Sequence, residues 1–99
     1  QRADLDKRFA ELRIIPVEIS SHELQGYYES VANGVLWPLF HYLLDRVPLG
    51  CADWPVYKSV NDRFAATIAQ HYQPGDFIWV HDYQLMMVPD FLRRRIPDC

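Results

Sequence analysis

Apolar residues recur along the 99-residue chain with two different periods, and these divide it into elements. Val56, Val60, Phe64, Ala65 and Ile68 fall at i, i+4, i+8, i+9 and i+12, the stripe of one helix face, with Lys58, Asp62, Arg63 and Gln70 elsewhere on its surface. Asp53 is placed to cap that helix, and Pro55 to occupy its first turn, where a missing N–H leaves no bond unmade. Residues 3–12 are charged and helix-favouring. Ser20-Ser21-His22-Glu23 opens a second helix over about residues 22–32, from which Tyr27 or Tyr28 faces inward. Asn33-Gly34 then punctuates the chain. Residues 35–42 are too apolar for a surface loop, and Pro38 suits the first turn of a short helix. Pro48-Leu49-Gly50 makes a loop. Two stretches read as strands. Residues 13–19 are one, with Pro16 marking an edge or irregular start. Residues 77–80 are the other, bounded by Pro74-Gly75-Asp76 and apolar throughout, as in a parallel strand covered on both faces. Residues 85–95 read as a helix with Pro89 near a break. A helix, a buried strand and a helix in that order form half of a doubly wound unit, so the fold class is α/β.

Candidate chemistry concentrates where the second strand ends, in Trp79-Val80-His81-Asp82-Tyr83-Gln84. Ligands of open α/β sheets bind outside the carboxyl ends of the strands, which is where His81 and Asp82 fall. An imidazole and a carboxylate at a desolvated strand end require a partner, and a hydroxyl-rich ligand is a suitable one. The plainer alternative is that Asp82 caps the following segment while His81 bonds a loop carbonyl, and for an isolated pair the two readings are balanced. Taken alone, Tyr28 and Trp37 read as packed aromatics, because aromatic residues at helical spacing usually pack.

The ordered set of blocks is more specific than any one of them. Tyr27-Tyr28, then Asn33-Gly34-Val35-Leu36-Trp37-Pro38-Leu39-Phe40-His41-Tyr42, then Trp54, Tyr57, Val60-Asn61 and Phe64-Ala65, then Gly75-Asp76 and residues 78–85 follow one another over residues 15–97. In this the chain resembles the trehalose-6-phosphate synthases. The resemblance implies an internal fragment of the N-terminal, acceptor-side domain of a two-domain retaining glycosyltransferase, with the donor-binding C-terminal domain absent. The implied fold is part of a Rossmann-like, doubly wound domain of the GT-B type. The implied reaction moves glucose from UDP-glucose to glucose 6-phosphate and gives trehalose 6-phosphate, with no metal and no cofactor.

The family's sugar-phosphate grip matches Tyr28, Trp37 and Asp82. Their chemical types agree with that role. A carboxylate accepts bonds from two sugar hydroxyls, a phenol reaches phosphate, and an indole covers an apolar sugar face. His81 stays open between a structural histidine and a ligand contact. His22, His41 and His71 are read as surface or packing residues, Trp54 and Tyr57 as core, and Tyr83, Met86 and Met87 as filling behind the site. No catalytic residue is assignable within the fragment, which is expected to be inactive alone. Two positions depart from the family pattern: Gln84 stands where many relatives carry a second histidine, and Val31-Ala32 where they carry Phe-Ser. Gln84 still donates and accepts, but it does not titrate near neutrality. Two alternatives stay open: a glucosylglycerol-phosphate synthase using glycerol 3-phosphate, and a catalytically silent synthase-like binding subunit.

Bulk composition narrows the partners. Thirteen acidic against ten Lys and Arg residues give a formal charge of −3, which argues against nucleic acid or an anionic membrane. Arg93-Arg94-Arg95 reads as the last turn of a helix, where cations complement the dipole. No apolar run approaches the roughly 20 residues of a membrane span. Cys51 and Cys99 form neither a disulfide framework nor a metal set with the histidines, so a reduced, cytoplasmic setting is expected. The expected partners are small molecules, a sugar phosphate and a nucleotide sugar; a homo-oligomeric parent is left open.

Overall fold

Two short apolar clusters organise the chain, and a single long helix belongs to both. The computed structural model describes residues 1–99. In chain order it contains α1 (Arg2–Glu11), α2 (Ser21–Leu24), a π-helix (Gln25–Leu36), α3 (Trp37–Phe40), a 3-10 turn (Leu44–Arg46), α4 (Trp54–His71), a second 3-10 turn (Tyr83–Leu85) and α5 (Val88–Arg95). The long helix α4 lies between the π-helix on one side and α5 on the other. Tyr27, Val31, Tyr57 and Val60 form the first cluster, and Ala65, Val88 and Leu92 the second. The apolar stripe read from the sequence is therefore the one that packs, with Val60 and Ala65 fully enclosed and Val56, Phe64 and Ile68 partly so. Trp54 and Tyr57 stack at the start of α4, their ring centroids 5.0 Å apart and 13° from parallel. Gly26 permits the closest approach of the two layers, since a Cβ there would lie 3.1 Å from Val56 Cγ1.

Several expected elements change on folding. Asp53 occupies the N-cap position of α4, but its side chain makes no cap bond. The second helix does not stop at Asn33-Gly34. It widens at Gln25 into five-residue turns that run through this pair and hand over to α3. The wide turns put Tyr27, Val31 and Ala32 on the buried side, and that burial outweighs the local turn preference of Asn-Gly. They also suit Pro38: Trp37 N–H donates to Ala32 O, five residues back, and Pro38 follows with no N–H to satisfy. Likewise Pro89 starts α5 instead of breaking a longer helix.

Neither expected strand forms a ladder. Residues 15–19 and 77–81 form no regular element, and their backbones pair with no other segment of this chain. A strand is defined by its neighbour, so this chain by itself is all helix and forms no part of a sheet, which corrects the α/β expectation. The two-sided burial expected for residues 77–80 is also corrected. Ile78 and Val80 pack against the second cluster, while Phe77 and Trp79 are 88% and 78% exposed. Alternating side chains give one covered face and one open face. The arginine run behaves as read: in the last turn of α5, Arg94 pairs with Asp90 at 2.6 Å, Arg95 with Asp62 at 2.9 Å, and Arg93 donates to Pro97 O at 3.0 Å.

One ion pair ties the entry of α2 to α4. Ser20 Oγ accepts the Glu23 N–H at 3.2 Å and Glu23 Oε2 accepts the Ser20 N–H at 2.9 Å, the reciprocal capping box. The same carboxylate receives both guanidinium arms of Arg63, which also donates to Glu18 O at 2.7 Å. Arg63 first, and the Ser20 bonds after it, hold the Glu23 carboxyl at about 2 against an ordinary 4.5. Because the folded pKa is the lower one, the stabilisation is complete above pH 4.5 and is lost as pH falls toward 2. Denaturant unfolding across that range should therefore show a steeper acid loss in the wild type than in Glu23→Gln. Identical slopes would remove Glu23 from the acid response.

Candidate functional site

Asp82 follows the unpaired segment 77–81 and has φ 69° and ψ 173°. That backbone region is otherwise almost reserved for glycine and costs a residue with a side chain on the order of 1–3 kcal/mol. Directly after it the chain makes the 3-10 turn Tyr83–Leu85, and Asp82 Oδ1 caps it by accepting the Tyr83 N–H at 2.8 Å. The capping role weighed from the sequence is thus real, yet it uses one oxygen. The other, Oδ2, lies 3.9 Å from His81 Nε2 on a carboxylate that is 51% exposed.

Tyr83 gathers the remaining parts. Its hydroxyl donates to Asn33 Oδ1 at 2.9 Å, joining the turn to the π-helix, and its ring centroid is 5.5 Å from that of Trp37. The Tyr83 phenol is pushed up by loss of water first, and then by the neighbouring Tyr28 phenol and Asp82 carboxylate. Trp37 in turn stacks on His41 at 3.7 Å, and His41 Nδ1 lies 2.7 Å from Trp37 O. Tyr28 and Trp37 remain 40% and 45% exposed. Tyr28, Trp37 and Asp82 therefore converge around Tyr83 as an open ledge, at which an acceptor-bearing carboxylate adjoins three aromatic rings. Such a surface offers hydrogen-bond acceptors to hydroxyls and flat apolar faces to a sugar ring. It carries no Lys or Arg.

His81 does not join this convergence. Its side chain is 80% exposed, and Asp82 is the one acidic group it approaches. Two residues gain roles that the sequence reading did not assign. Tyr83, read as filling, is the centre of the ledge, and His41, read as surface or packing, braces the indole. The signal for Tyr83 was its place beside Asp82; what hid it was that its partner Asn33 lies 50 residues away in the chain. Val31 and Ala32, one of the two departures from the family pattern, are completely buried and do not line the ledge's open face.

A largely apolar cleft lies elsewhere. About 450 Å³ in volume, it is lined chiefly by Ile15, Val17, Phe64, Ile68, Phe77 and Trp79. Its lining runs to Trp79 and does not include Asp82 or any other ledge residue. His71 and Asp76 are its only titratable side chains besides Tyr72, and His71 Nδ1 is already 2.8 Å from Thr67 O. No three His, Cys, Asp or Glu side chains gather anywhere in a metal-holding group. No helix is long and apolar enough to cross a membrane.

Comparison with known proteins places this architecture. The model of glycosyltransferase family 20 matches residues 1–99, the full length of the chain. The chain belongs to glycosyltransferase family 20. One family 20 relative, the alpha,alpha-trehalose-phosphate synthase [UDP-forming] 1 of Aspergillus niger, is 41% identical over 88 residues, covering 89% of this chain and 17% of the relative. The OtsA apo structure superposes with a TM-score of 0.75 at 39% identity, over 80% of this chain and 18% of that one. An alpha,alpha-trehalose-phosphate synthase (UDP-forming) from Burkholderia xenovorans, solved in complex with glucose-6-phosphate, superposes with a TM-score of 0.70 at 34% identity. It is covered over 16% of its length, by 75% of this chain. The chain thus spans less than a fifth of these family 20 members.

Proposed function

We propose that this chain forms one wall of the acceptor site of a trehalose-phosphate synthase, and that the whole protein transfers glucose from UDP-glucose to glucose 6-phosphate. The observation that carries the reading is the convergence of Tyr28, Trp37 and Asp82 around Tyr83. Relatives named as UDP-forming synthases, and a similar structure solved with glucose-6-phosphate, support the substrate classes. On this reading residues 1–99 belong to the N-terminal, acceptor-binding part of a GT-B enzyme. Its α/β, Rossmann-like character requires strands that pair with residues 15–19 and 77–81.

In this mechanism Asp82 accepts hydrogen bonds from acceptor hydroxyls, the Trp37 face covers the ring, and Tyr28 reaches the phosphate. The acceptor's anomeric oxygen forms a bond to the donor's anomeric carbon as the bond from that carbon to the diphosphate oxygen breaks. The hydroxyl proton leaves with the diphosphate. Held in register, the two substrates react as if in one molecule, the main contribution this ledge can make. Cations that neutralise the acceptor phosphate and the leaving diphosphate come from other parts of the protein, since the ledge has none.

Product formation by the whole protein with UDP-glucose, offered glucose 6-phosphate and glycerol 3-phosphate in parallel, tests the proposal. Trehalose 6-phosphate is the expected product. Glucosylglycerol phosphate instead would transfer the site to the shorter acceptor, with Gln84 the position to examine first. Absence of turnover with both, alongside retained sugar-phosphate binding, would mark a silent binding subunit.

A further inference from the structure

The strained backbone at Asp82 needs a restraint, and its own cap to the adjacent Tyr83 N–H is too local to supply one, because that bond moves with the residue. The restraint comes from α4. Tyr57 and Asn61 lie one turn apart on its buried face, and both are fully enclosed. The Tyr57 hydroxyl donates to Tyr83 O at 2.7 Å and accepts the Met86 N–H at 3.2 Å. Asn61 Nδ2 donates to Gln84 O at 3.0 Å, and its Oδ1 accepts the Met87 N–H at 3.1 Å. Two side chains of one helix thus bind four main-chain groups of the turn that follows Asp82, two carbonyls at residues 83 and 84 and two N–H groups at 86 and 87. Within residues 82–87 the backbone makes only one such bond of its own, Leu85 N–H to Asp82 O at 3.3 Å. No buried side-chain polar atom is left without a partner, so the arrangement has no slack. A relaxed Asp82 would swing Tyr83 and break bonds whose partners cannot follow, because both are packed in the core.

We infer that Tyr57 and Asn61 are positioning residues, which hold the 83–87 turn so that Asp82 keeps the conformation that presents its carboxylate on the ledge. The inference rests on the acceptor-site reading above. Neither side chain lines the open face of the ledge: Tyr57 meets Tyr83 only at its main-chain carbonyl, and both act through the turn on Asp82. Their effect is confined to the acceptor half of the reaction.

The test uses the full-length protein with Tyr57→Phe, which keeps the buried ring and removes the hydroxyl, in the wild-type and Asp82→Ala backgrounds. Thr67→Val serves as control, since the Thr67 hydroxyl bonds only Arg63 O of its own helix. Tyr57→Phe is expected to lower kcat/KM for glucose 6-phosphate about tenfold, the scale of losing bonds to two buried backbone groups, and to leave the KM for UDP-glucose unchanged. In the Asp82→Ala background the same change should cost nothing further. Amide hydrogen exchange at Met86 and Met87 should accelerate at least tenfold in Tyr57→Phe and stay at the wild-type rate in Thr67→Val. An equal loss in both backgrounds, or a matching rise in the donor KM, overturns the positioning role. Unchanged exchange at residues 86–87 overturns the restraint itself. Should Asp82→Ala have wild-type acceptor kinetics while exchange still accelerates, the acceptor-site reading fails and takes the catalytic consequence with it, and the mechanical restraint stands.

Discussion

Replacing Asp82 by alanine in the full-length protein is expected to lower kcat/KM for glucose 6-phosphate by about a hundredfold to ten-thousandfold. The range follows from two hydrogen bonds to a charged acceptor at roughly 1.5–3 kcal/mol each, with about 1.4 kcal/mol per factor of ten. On the proposed acceptor-site reading, the KM for UDP-glucose should stay within about twofold. Asp82→Asn should fall between wild type and alanine. It can keep the 2.8 Å cap to the Tyr83 N–H but loses the charge that strengthens bonds to hydroxyls. Strain gives a second, independent readout. At φ 69° a Cβ is unfavourable and glycine is not, so Asp82→Gly should be more stable than Asp82→Ala by about 1 kcal/mol in denaturant unfolding. The measurements are initial rates with each substrate varied in turn, beside urea titrations. Wild-type acceptor kinetics for the alanine variant would sink the assignment, whatever the stabilities show.

Expressed alone, the 99-residue polypeptide is expected to associate and to lack a sharp unfolding transition. Its accessible surface is 7513 Å², whereas a compact monomer of 11.7 kDa exposes roughly 5,900 Å². The difference, roughly 1,600 Å², is about the area buried in a standard protein interface. The radius of gyration agrees: 15.6 Å against about 13 Å for a compact chain of this length. The uncovered surface is apolar where it matters. Phe77 and Trp79 are exposed on one unpaired segment, and Ile15 is about half exposed on the other. Unpaired backbone beside exposed aromatics is a template for pairing with further copies. Only 11 of 99 residues are buried, too few to offset the conformational entropy of ordering the rest. Sedimentation velocity and scanning calorimetry check this. A monodisperse monomer with a cooperative endotherm would show that the two clusters on α4 suffice.

Much of the helical frame was legible because its signals are local. The α4 stripe repeats every turn, Pro55 stands in its first turn, Ser20 and Glu23 meet three residues apart, and Arg93 to Arg95 close α5. Each depends on neighbours that the chain itself keeps close. The blocks around Trp37 and His81-Asp82 likewise carried the family relationship, confirmed over the full chain. The strand readings went further than the residues could support. Alternation accounts for the covered and open faces of residues 77–80, but pairing belongs to two segments at once, and no other segment of this chain pairs with this one.

By itself, then, the sequence determined α1, α4 with its buried stripe, the capping box that opens α2 and the membership in glycosyltransferase family 20, all of which depend on local spacing or on ordered motifs. Only the tertiary structure decided the π-helix that carries the chain through Asn33-Gly34, the positive φ of Asp82, the ledge centred on Tyr83, and the use of Tyr57 and Asn61 as supports. The π-helix is set by burial, and the other three by hydrogen bonds between residues 23, 26, 29 and 50 positions apart. Such contacts form only when packing on α4 brings distant segments together, and a buried polar group then takes whatever partner geometry allows, not the one its sequence neighbours would suggest.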